Sequence, residues 1–136
     1  MATTARYGIR RTVKLPYDLA VERAREALTK EGFGVLTEID VRATLKKRIG
    51  VDFRPYIILG ACNPPLAHRA LEAELDIGLL LPCNVIVYAG KEEGTSIVAA
   101  LDPEAALSMS DTAGVRDVAT EVRARLDRVV ADIAEE

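Results

Sequence analysis

Two cysteines stand in similar words, Ala61-Cys62-Asn63-Pro64-Pro65 and Leu81-Pro82-Cys83-Asn84-Val85. In each, an asparagine follows the thiol. Cys62 also precedes the first turn of a predicted helix, where unpaired N–H groups and the helix dipole favour a thiolate and can lower a cysteine's pKa. If the strands bearing Cys62 and Cys83 are neighbours, the two sulfurs share one site. Such a pair suits thiol chemistry, with Cys62 as the activated group and Cys83 resolving it. His68 is the only histidine. It falls four or five residues into the helix after Cys62, where it would give that thiol a base.

Each of these residues also has a plainer use. Free cysteine packs as a small hydrophobe. Asn63 is a natural helix cap, whereas Asn84, in a strand-like context that disfavours asparagine, would satisfy a local turn. A lone helical histidine is often solvated. A structural zinc site wants about four ligands, and Cys62, Cys83 and His68 fall short of it. A soft Cu(I) or haem site uses fewer, with Met109 or a second subunit completing the set. No nucleophile-elbow sequence is present, and Gly32-Phe33-Gly34 reads as a helix stop and strand start rather than a phosphate loop. The acidic pairs Glu38/Asp40 and Asp102/Glu104 fit caps and turns better than a metal or general acid.

The elements that must position these residues follow from periodicity. A strand is predicted over Arg6–Lys14, with Tyr7, Ile9, Arg11 and Val13 on one face. A helix over 17–31 presents Ala20, Val21, Ala24, Ala27 and Leu28, and Gly32 stops it while Phe33 folds back. A second strand runs Gly34 to Ile39. Asp40 then caps a short helix whose buried stripe is Val41, Leu45 and Ile49, stopped by Gly50. Tyr56 to Ala61 reads as a strand buried on both faces or nearly so, and Asn63-Pro64 opens a helix reaching about Leu75.

Val85–Ala89 and Thr95–Leu101 form a hairpin about Gly90–Gly94. Ser108–Gly114 is small and polar, a candidate mobile loop. A long C-terminal helix carries its stripe from Val115 to Ile133. The hairpin forces an antiparallel pair, so the fold class is α+β, with four to five strands in the sheet.

Composition narrows the function. At 136 residues and 49% hydrophobic content the chain suits one domain, expected over 5–136. Aromatics are 4% of residues, which argues against a surface built to stack bases or sugars. The net charge of −3 gives no general attraction for nucleic acid. The cluster Arg42, Lys46, Lys47 and Arg48 reads as the wet side of the short helix. The longest uncharged apolar run, Ile77–Gly90, is shorter than the roughly 20 residues that span a bilayer. No signal-length apolar stretch opens the chain, and a soluble cytoplasmic protein is expected.

Three stretches carry a resemblance: Glu31–Asp40, Tyr56–Pro64 and Ile77–Val85. They resemble the family known as domain of unknown function 302, with the two Cys-Asn words as the most specific marks. The likeness runs from about Tyr7 to Ile133. It implies helices packed on one face of a mainly antiparallel sheet, in a domain that often forms homodimers. It implies no established reaction, substrate or cofactor. Gly60, Cys62, Asn63, Pro64, Leu81, Pro82, Cys83 and Asn84 look like its signature positions.

Three functions remain in view. The first is a homodimeric module binding a small ligand or soft metal at Cys62, Asn63, Cys83 and Asn84, with His68 nearby. The second is a thiol-dependent redox enzyme or sulfur carrier using Cys62 and Cys83. The third is a structural or regulatory dimer in which both cysteines are core.

Overall fold

Period-two alternation and helical stripes place the same residues in one core. A computed structural model of the chain describes residues 6–133. Of the span expected for the domain, residue 5 and residues 134–136 lie outside that range. The strands are β1 Gly8–Val13, β2 Gly34–Asp40, β3 Tyr56–Cys62, β4 Cys83–Ala89 and β5 Ser96–Leu101. The helices are α1 Tyr17–Lys30, α2 Val41–Ile49, α3 Pro64–Ala73, α4 Pro103–Ala106 and α5 Ala113–Ile133. Tight 3-10 turns occupy Leu75–Leu80 and Leu107–Met109. The strands form one sheet in the order β1-β5-β4-β3-β2, with every neighbouring pair antiparallel.

Alternation sends Ile57, Leu59 and Ala61 of β3, Val85 and Val87 of β4, and Val98 of β5 to one buried face. Helices α1 and α5 press their stripes against it. All five apolar residues expected on α1 are buried, as are all eight of the α5 stripe. Full burial of a side chain such as Leu126 contributes about 1.5–3 kcal/mol. The end of α1 forms as its sequence requires. Gly32 takes φ +86°, its N–H bonds the Thr29 carbonyl, and the Phe33 N–H returns to Leu28 while the ring is buried. No helix among the described residues is long and apolar enough to cross a membrane.

Three expectations need correction. The other face of β3 is buried at Gly60 but only partly covered at Tyr56 and Ile58, which keep some of their surface in solvent. Helix α2 is capped as expected, by Asp40 accepting from the Ala43 N–H at 2.9 Å and by Gly50 at φ +69°. Its stripe is nevertheless unburied, with Val41 and Leu45 half-covered and Ile49 66% exposed. The helix bridges β2 and β3 and makes its main contacts with those two strands, which leaves its stripe largely open.

The segment Ser108–Gly114 is also no loose loop. Ser110 is buried, and the hydroxyls of Ser110 and Thr112 both donate to Glu74 Oε1 at 2.7 Å. Arg116 Nε donates to the Ser110 carbonyl at 3.2 Å. Those bonds tie the approach to α5 onto the end of α3.

The two hydroxyl donors hold the Glu74 carboxyl below its ordinary range. A lowered folded pKa means the contribution is present above the unfolded value and is lost as pH falls through the folded one. Stability should therefore drop more steeply below about pH 4.5 in the native chain than in Glu74→Gln. Denaturant unfolding at stepped pH measures the difference, and parallel curves would refute it.

Candidate ligand cavity at the two cysteines

Cys62 is the last residue of β3 and Cys83 the first of β4. These strands are neighbours, and the register sets Ala61 opposite Cys83. The chain turns into β4 through a cis Leu81–Pro82 peptide. Both cysteines are free and partly buried, and both line a cavity of about 310 Å³ between the strand ends and helices α3 and α5.

Small residues open this space. Helix α3 faces it with Ala67 and Ala70, where larger side chains would fill it. Phe33, Leu66, Leu71 and Val122 belong to its apolar wall. On the sheet side, a Cβ at Gly60 would stand 2.2 Å from Thr37 Oγ1 and 3.2 Å from Pro82 Cγ. Glycine there lets Thr37 and Pro82 close over β3. The β2–β3 register slips between Val35 and Thr37, so Leu36 is bulged out of the pairing and joins the cavity lining. Bulges beside sites often re-aim a side chain in this way.

The electrostatics run against an activated thiol. Burial pushes the Cys62 thiol up, and the helix start does not reverse it. At that helix start Asn63 Oδ1 accepts from the Leu66 N–H at 3.3 Å and takes up a donor of the first turn. Cys83 is pushed up to about 11, first by burial and then by the nearby Cys62. Both groups are neutral thiols at pH 7. Asn63 also donates through Nδ2 to the Glu31 carbonyl at 3.4 Å, joining the start of α3 to the end of α1.

The remaining expected residues separate. Asn84 is exposed on the other face of the sheet, because alternation from Cys83 turns it away. The His68 side chain is 75% exposed and lies 3.6 Å from Glu72, outside the cavity lining. Met109 is 75% exposed and is likewise outside it. Asp40 and Asp102 are caps, Asp102 also pairs with Arg123 at 2.7 Å, and Glu38 pairs with Arg25. Among the described residues no group of three or more His, Cys, Asp or Glu could hold a metal ion. Two thiols are what the cavity offers a soft metal. Toward any other ligand it presents mainly hydrocarbon and weak sulfur donors, with Thr37 and Asn63 among its lining residues.

Sequence reasoning located the sulfurs but not the walls around them. The small pair Ala67 and Ala70 on one helix face was the available signal.

Alkylation should follow the raised pKa values. A raised thiol pKa keeps the unreactive protonated form to higher pH. At pH 7.5 both cysteines should react more slowly than a free thiol. Cys62 should accelerate first as pH rises, with Cys83 following only toward pH 11. Peptide mass spectrometry after timed alkylation reads the order, and a fast Cys62 below pH 8 would contradict it.

The chain matches the family described as domain of unknown function DUF302 over residues 9–133. A crystal structure of an uncharacterized conserved DUF302 protein from Bacillus stearothermophilus has a TM-score of 0.85 and 31% sequence identity. That match covers 94% of this chain and 98% of the other. Among curated proteins none matches. Fold, coverage and identity agree, and the chain belongs to the DUF302 family.

Proposed function

We propose that this protein is a binding module for a small apolar ligand, held in the cavity that Cys62 and Cys83 line. The cavity itself carries the reading, being concave, largely hydrocarbon and edged by a few weakly polar groups. Its volume of about 310 Å³ sits at the low end of small-molecule sites. Removing about 200 Å² of ligand surface from water supplies about 5 kcal/mol of gross binding energy, from which the cost of immobilising the ligand is subtracted. The thiol-enzyme alternative is disfavoured by burial. A thiol with a pKa near 11 is about one part in 10⁴ thiolate at pH 7.

Ala67→Phe would fill the cavity from α3. An environment-sensitive apolar fluorophore titrated into native protein should show saturable binding, and Ala67→Phe should weaken it at least tenfold while far-UV circular dichroism is kept. Equal binding by both proteins, or no saturation in the native one, would end this reading.

A second reading concerns assembly, and unburied helix α2 favours it. Ile49, Val51 and Phe53 leave apolar surface exposed at one end of the sheet. We infer a homodimer in which a second copy covers this surface, compatible with a ligand site at the opposite strand ends. Light scattering should give twice the chain mass, and Ile49→Glu should return it to the monomer value. A native chain that stays monomeric at about 100 µM would remove the dimer.

A further inference from the structure

The uncovered sheet face has its own order. Antiparallel register aligns Arg10, Ala99, Ile86, Ile58 and Ile39 in one row from β1 to β2. The next row holds Thr12, Ile97, Tyr88 and Tyr56, and on the other side Gly8 pairs with Leu101. Gly8 and Ala99 are small where their neighbours are large. The result is a depression of about 370 Å³, with Ile86, Ala99 and Leu101 as its apolar lining.

The polar side chains lining it all carry donors: the Arg10 guanidinium, the hydroxyls of Tyr7, Tyr56 and Tyr88, and the Asn84 amide. No carboxylate is among them. Arg10 Nη2 donates to Tyr88 Oη at 3.3 Å, and Arg10 has no carboxylate partner among the described residues. Arg54 stands over the Tyr88 ring at 5.9 Å, and the Tyr56 and Tyr88 rings stack at 5.1 Å, which holds this wall in place. Burial, then the nearby Tyr88 and Tyr7 phenols, push the Tyr56 hydroxyl up, so it remains a donor at neutral pH. In a chain of net charge −3, a pocket lined by donors and free of acids is matched to an anion.

We propose that this depression is a second site, separate from the cysteine cavity, which binds a small organic oxyanion. The carboxylate or phosphate group lies between Arg10 and the tyrosine hydroxyls, and its apolar body rests on Ile86, Ala99 and Leu101. Arg10 is the specificity-determining residue, since its charge selects the anion over a neutral analogue of the same shape.

The test is an amide-resolved NMR titration of the full chain with benzoate, phenyl phosphate and, as neutral control, benzyl alcohol. Saturable shifts should centre on Gly8, Ile86 and Ala99 for at least one anion and be absent for benzyl alcohol. The tighter anion identifies the oxyanion class. Arg10→Met should weaken binding at least tenfold with the thermal midpoint unchanged, and Arg10→Lys should recover part of it. Ala67→Phe should leave binding intact, which separates this site from the cysteine cavity. Equal binding of benzyl alcohol, unchanged affinity in Arg10→Met, shifts centred on Cys62 and Cys83, or no saturation at tens of millimolar would each overturn it.

Discussion

Three helices meet at one carbonyl oxygen, that of Glu31. It closes α1, and it accepts from Asn63 Nδ2 at 3.4 Å and from Arg125 Nη1 of α5 at 2.9 Å. The end of a helix carries partial negative charge, so a guanidinium and an amide are well matched to it. Arg128 adds a bond to the Glu31 carboxylate at 2.9 Å. Gly32 makes the approach feasible, because a Cβ there would come within 3.0 Å of Asn63 Nδ2, in a backbone conformation that side chains resist. Asn63 therefore caps α3 and also fixes where α3 begins. Cys62 precedes it directly, so the cavity's position depends on the same junction.

From that junction the two faces of the sheet acquire opposite characters. Helices α1 and α5 cover one face and make it a dry core, with the cysteine cavity at its edge. The other keeps its rows of side chains in partial contact with water. Neighbouring residues of β4 divide between them: Cys83 joins Val85 and Val87 on the covered side, while Asn84 goes to the open one. A motif read as a unit is split by a two-residue period. Each half then takes the chemistry of its surroundings, a neutral thiol among hydrocarbon and an amide among donors.

The sequence disclosed much of this fold where the pattern was long. The stripes of α1 and α5 extend over several turns, so their period is unambiguous and their burial followed. The caps at Asp40, Asn63 and Gly32 were readable because each needs a particular residue type. Helix α2 shows the opposite case. The three stripe residues of a nine-residue helix specify an amphipathic face but not whether another element reaches it. Ser110 and Thr112 looked like a loose polar loop because their acceptor, Glu74, is more than thirty residues away. Tyr7, Tyr56 and Tyr88 are scattered in sequence and come together only through the strand order β1-β5-β4-β3. Low aromatic content was thus a fair description of the composition and a poor guide to where the aromatics lie.

The cysteine cavity also bears on stability. Protein interiors close-pack, and a void forfeits dispersion contacts along its walls. A larger residue at Ala67 would recover some of those contacts with no change to the strands, the caps or the Glu31 junction. The alanines of α3 keep open a space that ordinary core packing would close. Gly60 cannot be enlarged without displacing Thr37 or Pro82, so its size is set by the sheet. Ala67 is under no such constraint, because it faces the open space. Under the binding reading proposed above, the packing forgone at that position is exchanged for space that a ligand fills.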